Sequence, residues 1–186
     1  MSSQAHQVKF TYEDYLLFPD DGKRHELIEG EHFVTPAPTT KHQRTSSNLH
    51  GLLFAHLQQT KAGRVFSAPT DVVLSDLDVV QPDLLFVSAT RASMITEKHI
   101  RGAPDLVVEI LSETSRKTDE IIKRKLYERH GVREYWIVDP ELETVKVYRM
   151  TDKGFARAAE LSREAGDALA TPLLAGLAIP LALIFE

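Results

Sequence analysis

The sequence predicts a single α/β domain in which a mixed central sheet is flanked by helices. Three observations support this fold class. The chain has 186 residues, of which 42% are hydrophobic and 26% are charged, which is sufficient for one core of ordinary size. Apolar segments typical of strands alternate with two longer segments that have the helical period. The most apolar strand, residues 105–111, is typical of a central strand buried on both faces.

Local signals place the elements of the first half of the chain. Asp14 lies three residues after Thr11, a capping-box pattern that predicts a short helix. Glu29-Gly30 separates two strand-like segments and predicts a hairpin. Leucines with helical spacing predict a long helix that ends at Ala62-Gly63. The predicted elements are a helix at 11–18, strands at 24–28 and 31–35, a helix at 40–61, and strands at 64–68, 71–74 and 79–87.

The second half of the chain contains further strands and one more main helix. Gly131 is well placed to end that helix. The apolar segment 173–185 is too short to span a bilayer, and Gly176 and Pro180 interrupt it, so we expect it to pack in the core with a turn. The predicted elements are a weak helix or loop at 89–100, a strand at 105–111, a helix at 116–130, and strands at 134–138, 144–150 and 155–161. Residues 1–10 are predicted to be a flexible N-terminus, and residues 11–186 a single domain.

Composition and charge exclude several classes of function. The net charge is −5, from 22 basic and 27 acidic residues, which argues against a generic basic coat for nucleic acid but leaves a local basic groove open. The chain has no cysteine, which excludes disulfides, thiolate zinc sites, iron–sulfur clusters and cysteine nucleophiles. The N-terminus has no signal-peptide pattern. We therefore expect a cytoplasmic protein without a membrane segment.

Two acidic residues lie where carboxylates are costly. Asp83 follows Pro82 and opens an apolar strand. Glu109 lies inside the most apolar strand, on the same face as Val107 and Leu111. A buried carboxylate is normally paired, protonated or bound to a metal. Two interpretations of these carboxylates therefore stay open. One is a structural pair with a buried arginine or a backbone donor, and the other is a functional site.

A lysine in the following helix is a candidate partner for Glu109. At about 100° per residue, Lys123 falls between Leu126 and Tyr127 on the inward side of the helix. Two alternatives stay open: a structural ion pair, and a solvated helix with ion pairs four residues apart, such as Asp119–Lys123. Basic residues are also concentrated between Arg116 and Arg133.

Several segments occur in a specific order along the chain: HELIEGE at 25–31, Pro82-Asp83, DLVVEILS at 105–112, KRKLY at 123–127 and GVREYWIVDP at 131–140, together with His42. In combination they resemble a large bacterial family of restriction-endonuclease-like proteins that have the PD-(D/E)XK nuclease fold. Each segment alone is a weak signal, but their order and spacing are specific, and the resemblance covers about residues 11–185.

The resemblance implies a restriction-endonuclease-like fold with three catalytic residues: Asp83, Glu109 and Lys123. In the standard motif the lysine follows the second acid by two residues, where this chain has Leu111. The resemblance implies that the lysine has moved to the next helix, and the helical period selects Lys123 independently. Asp83, Glu109 and the backbone carbonyl of Ile110 would bind Mg²⁺ or Mn²⁺. The accessory candidates are Glu26, Tyr127 and Arg116.

The resemblance implies a magnesium-dependent endonuclease that hydrolyses phosphodiester bonds of DNA, with duplex DNA as the expected substrate. A homodimer is expected by analogy with other nucleases of this fold. A different class of function also stays open. The chain would then be a catalytically inactive nuclease-fold protein that acts as a module for binding nucleic acid or protein.

Overall fold

The computed structural model describes residues 8–186, and its elements follow the predicted order. The α-helices are α1 (Tyr12–Tyr15), α2 (Thr40–Thr60), α3 (Arg124–Arg129) and α4 (Leu181–Ile184). The strands are β1 (Arg24–Ile28), β2 (Glu31–Thr35), β3 (Gly63–Ser67), β4 (Val72–Ser75), β5 (Asp78–Val80), β6 (Leu84–Ser88), β7 (Ile100–Arg101), β8 (Leu106–Ile110), β9 (Glu134–Asp139), β10 (Thr144–Thr151), β11 (Gly154–Ser162), β12 (Ala168–Leu169) and β13 (Ile179–Pro180).

A large mixed sheet forms the centre of the molecule, as predicted. Its strand order is β11-β10-β9-β8-β6-β3, and β8 and β9 are its parallel pair. A second sheet, β2-β1-β5-β4-β7, was not predicted. The prediction of one strand over 79–87 was wrong, because these residues form β5 and β6 in different sheets. Pro82 lies between them and has no N–H for a strand ladder.

The two faces of β8 belong to different parts of the core, and this determines where Glu109 points. Leu106, Val108 and Ile110 pack with α2 and the C-terminal segment. Val107 and Leu111 pack on the opposite face, toward the second sheet and α3. Glu109 shares this second face because side chains alternate along a strand. The segment 173–185 packs in the first core, as predicted, although Leu183 is exposed. Its buried residues are Leu174, Leu177, Ile179, Leu181, Ile184 and Phe185.

The predicted helix over 116–130 has an irregular first half. A π-helical turn spans Thr118–Lys123 and leads directly into α3. The Tyr135 hydroxyl donates a hydrogen bond of 3.0 Å to the backbone carbonyl of Asp119 in this turn. Such turns are rare and occur frequently at functional sites.

At the N-terminus, the Thr11–Asp14 capping box is confirmed. Most of the predicted flexible segment 1–10, namely residues 1–7, lies outside the described residues. Its last residue, Phe10, donates its backbone N–H to the carbonyl of Gly30 at 2.9 Å. No helix within residues 8–186 is long and apolar enough to cross a membrane.

Candidate active site

A cavity of about 420 Å³ lies between the two sheets and the π-helical turn. Four buried carboxylates and one buried lysine are among the residues that line it: Glu26 on β1, Asp83 just before β6, Glu109 on β8, and Asp119 and Lys123 on the turn. Asp83, Glu109 and Lys123, which the sequence predicted as catalytic, are therefore brought together. Their catalytic roles stay predictions.

Asp83 is held by three donors from separate parts of the chain. Arg24 Nη1 donates to Asp83 Oδ1 at 2.6 Å. His42 Nε2 and the backbone N–H of Ile110 both donate to Oδ2, at 3.1 and 2.8 Å. Burial alone would raise the pKa of Asp83, but the hydrogen bond from His42 and the charge of Arg24 outweigh burial and lower it. Asp83 is therefore a fixed, ionised carboxylate.

Lys123 lies at the centre of the other carboxylates. Its ammonium donates to Glu26 Oε1 at 2.9 Å and to Glu109 Oε1 at 3.1 Å, and it lies 3.8 Å from Asp119 Oδ1. The lysine is only 5% exposed. Burial would lower its pKa, but the three carboxylates outweigh burial and raise the pKa well above the ordinary value. Lys123 therefore stays charged.

The pKa of Glu109 is raised further than that of Asp119, the other carboxyl group of the cavity with a raised pKa. It is 2% exposed, and Oε1 accepts hydrogen bonds from Lys123 and, at 2.7 Å, from the Tyr127 hydroxyl. Burial, together with the charges of Asp119, Asp83 and Glu26, raises its pKa to about 8 despite the opposing charge of Lys123. Burial therefore favours the protonated form of Glu109, and a further cation in the cavity would favour the ionised form.

Asp119 is a site residue that the sequence did not identify as functional. The spacing of Asp119 and Lys123 is compatible with an ion pair on a solvated helix, but Asp119 is only 2% exposed. Burial raises the pKa of Asp119 to about 6. The signal was present, because the helical period that turns Lys123 inward also turns the residue four positions earlier inward.

Arg24 and His42 were also missed as functional residues, although His42 was part of the resemblance. A strand places residues two positions apart on one face, so Glu26 on β1 implied that Arg24 faces the same cavity. His42 Nδ1 is buried and has no hydrogen-bond partner within residues 8–186. No sequence pattern indicated its contact with Asp83, which lies 41 residues away along the chain.

The accessory candidates have different environments. Glu26 accepts hydrogen bonds from Lys123 and from the backbone N–H of Gln81 at 2.8 Å. Tyr127 is fully buried and is bonded to Glu109. Arg116 lines the cavity but donates to Asp139 at 2.7 Å rather than to the central carboxylates.

The oxygen donors of the cavity fit a hard divalent cation. Asp83 Oδ1 has one hydrogen-bond donor and Glu109 Oε2 has none among residues 8–186, so both retain lone pairs. The ladder between β6 and β8 ends at Leu84 and Val108. The N–H of Ile110 donates to Asp83 instead of to β6. The N–H and C=O of one residue in a strand point to the same side, so the carbonyl of Ile110 also faces the side of Asp83.

Two carboxylates and one backbone carbonyl are the available protein ligands at this point of the cavity. In the described part of the chain, no group of three or more His, Asp or Glu side chains is arranged to hold a metal. Mg²⁺ commonly binds one or two carboxylates and completes its shell with water and substrate phosphate. The donor set of Asp83, Glu109 and the Ile110 carbonyl fits this pattern.

Comparisons with known proteins agree with the predicted fold. A family model named Uma2, described as "Putative restriction endonuclease", matches residues 12–182. A crystal structure described as "a putative nuclease belonging to DUF820 from Anabaena variabilis" has a TM-score of 0.79 and 23% sequence identity, over 95% of this chain and 97% of that chain. A search of curated proteins found no match. The predicted restriction-endonuclease-like fold is therefore confirmed.

Proposed function

Since the chain belongs to the Uma2 family of restriction-endonuclease-like proteins, we propose that it is a metal-dependent endonuclease that hydrolyses phosphodiester bonds of DNA. One observation carries the proposal. Two buried carboxylates, Asp83 and Glu109, line one cavity together with a buried, charged lysine. Carboxylates that can hold a divalent cation, beside a cationic side chain that can stabilise charge on the phosphate, suit metal-assisted phosphodiester hydrolysis.

Stability alone does not account for this set of residues. Among the buried groups of the cavity, four carboxylates share the space with Lys123 and the partly buried Arg24, so buried negative charge is in excess. The raised pKa of Glu109 is a consequence of that excess. Replacing buried charges with apolar residues is often neutral or stabilising, so a functional demand for this negative charge is the simpler explanation.

Asp83 and Glu109 would hold the cation together with the carbonyl of Ile110. Arg24, His42 and the Ile110 N–H fix the orientation of Asp83. Tyr127 and Lys123 bind Oε1 of Glu109, which leaves Oε2 available. A bound Mg²⁺ or Mn²⁺ would supply Lewis acidity toward the phosphate and offset its negative charge.

Lys123 supplies a positive charge where the transition state needs it. An ammonium has three N–H donors, and hydrogen bonds to Glu26 and Glu109 use two of them. The third donor is available to orient the attacking water or to bind a non-bridging oxygen of the phosphate as negative charge develops there. Asp119, at 3.8 Å, keeps the ammonium charged and in place.

Plasmid cleavage tests the proposal. We expect the protein to nick or linearise supercoiled DNA in Mg²⁺ or Mn²⁺ but not in EDTA. Asp83→Asn and Lys123→Met should abolish cleavage. Lys125→Met is the matched control, because Lys125 is exposed on the same helix. This variant should cleave DNA like the parent.

Two outcomes would contradict the proposal. Cleavage of RNA but not of DNA would overturn the proposal that DNA is the substrate. Failure to cleave plasmid, linear duplex or single-stranded DNA with either metal, by protein whose folding is verified by circular dichroism, would overturn the activity. Metal-independent binding of DNA in that case would favour the inactive binding module.

A further inference from the structure

A second, smaller cavity adjoins the catalytic one. Its volume is about 110 Å³, and Arg24 and Asp83 line both cavities. The remaining walls come mainly from one face of α2 and the end of β3. The polar residues of these walls are Gln43, Ser46, Ser47, His50 and Ser67. We call this cavity the α2 groove.

The residues of the α2 groove form a regular polar stripe. Gln43, Ser46, Ser47 and His50 follow the spacing i, i+3, i+4, i+7, which places them on one face of a helix. They lie beside the core-facing side of α2 and are half-buried or exposed. The stripe therefore presents hydroxyl, amide and imidazole groups to the groove.

The stripe is free to bind a ligand. Within residues 8–186, the side-chain hydrogen bonds of α2 are made by other residues, namely Lys41, His42, Asn48 and Thr60. Arg24 has donors available as well. Its guanidinium carries five N–H donors, and one of its nitrogens, Nη1, binds Asp83.

The chemistry of the groove matches a phosphodiester. Serine hydroxyls, a glutamine amide and an arginine are side chains that contact phosphate oxygens in nucleic-acid complexes. Consecutive phosphates of one strand lie about 3.4 Å apart along the helix axis, so a strand that places one phosphate in the catalytic cavity has its next phosphate close by. Arg24, at the junction of the two cavities, can contact both phosphates.

We propose that the α2 groove binds the phosphate adjacent to the scissile bond and so fixes the path of the nucleic-acid strand across α2. This inference rests on the proposed endonuclease function. It assigns Gln43, Ser46 and Ser47 to strand binding rather than to chemistry. The groove therefore favours polynucleotides over small diesters that have a single phosphate.

Added negative charge in the groove tests the inference. Gln43→Glu keeps the shape of the side chain but repels a phosphate. Gln59→Glu is the matched control, because Gln59 is exposed near the far end of the same helix. A negative charge within a few ångströms of the bound phosphate should raise the KM for an oligonucleotide by about tenfold. The KM for bis(p-nitrophenyl) phosphate, which has a single phosphate, should rise much less. Ser47→Asp should reproduce the effect, whereas Gln59→Glu should leave both KM values at the parental level.

Binding measurements separate this inference from the proposed activity. Fluorescence anisotropy of a labelled oligonucleotide in Ca²⁺ reports strand binding whether or not cleavage occurs. Weaker oligonucleotide binding by Gln43→Glu than by Gln59→Glu supports strand binding in the α2 groove, even if the parent cleaves nothing. In that case the endonuclease proposal fails, but the strand-binding role of the groove stands. Equal oligonucleotide binding by the two variants would overturn the proposed strand-binding role of the α2 groove. Equal changes in KM for the oligonucleotide and the small diester would overturn it as well.

Discussion

Replacing Glu109 with glutamine separates the functional role of this residue from its effect on stability. Glutamine has the size of a protonated glutamate and keeps an oxygen that can accept hydrogen bonds from Lys123 and Tyr127. The parent must ionise Glu109 at high pH, whereas the variant never does. We therefore expect Glu109→Gln to be more stable than the parent, by a margin that grows as pH rises, and yet inactive in cleavage.

The magnitude follows from proton linkage. The pKa of Glu109 is about 8 in the folded protein and 4.5 ordinarily, so the folded state binds more protons between these values. The stability of the parent consequently falls as pH rises through this window. One pKa unit corresponds to about 1.4 kcal/mol. The advantage of the variant should therefore grow from about 1 kcal/mol at pH 5.5 to about 5 kcal/mol at pH 9.

Urea unfolding in EDTA, from pH 5.5 to pH 9, measures this difference directly. EDTA removes divalent cations, which would otherwise bind the ionised glutamate and stabilise the parent. A stability difference that is constant with pH would show that Glu109 is not a strained buried acid. A parent that becomes the more stable protein as pH rises would refute the reasoning outright.

Three further changes test the contacts around Glu109. Lys123→Met should destabilise the protein by about 3–5 kcal/mol in urea unfolding, because it leaves buried carboxylates without their cation, whereas Lys125→Met should have almost no effect. Tyr127→Phe should cost about 1–2 kcal/mol of stability and raise the Mg²⁺ concentration needed for half-maximal cleavage; an unchanged metal requirement would argue against a positioning role. Asp119→Asn should lower the pKa of Glu109, measured by carboxyl carbon NMR, because it removes one of the charges that raise it; a higher pKa would contradict the assigned cause.

The sequence identified the residues whose local context is unusual. Glu109 was recognisable because it interrupts the most apolar strand of the chain, and alternation along that strand gave its direction. Lys123 was recognisable because the helical period turns a charged residue inward. These signals depend only on neighbours within a few positions, so they could be found without the fold.

Contacts between distant segments could not be found in this way. Arg24 and Asp83 are 59 residues apart and meet because β1 and β6 belong to different sheets that face one cavity. The second sheet itself was missed because residues 79–87 have the composition of one continuous strand. The π-helical turn has no sequence signature of its own, since it depends on tertiary contacts such as the bond from Tyr135 to Asp119.

An anomalous diffraction map from crystals soaked in Mn²⁺ tests the central claim most directly. We predict a single strong peak in the catalytic cavity, bounded by the carboxylates of Asp83 and Glu109 and by the carbonyl of Ile110. The peak should be lost in Glu109→Gln, whose neutral side chain removes one anionic ligand. A peak elsewhere in the molecule, or one of equal height in the variant, would contradict a metal-dependent active site at this position.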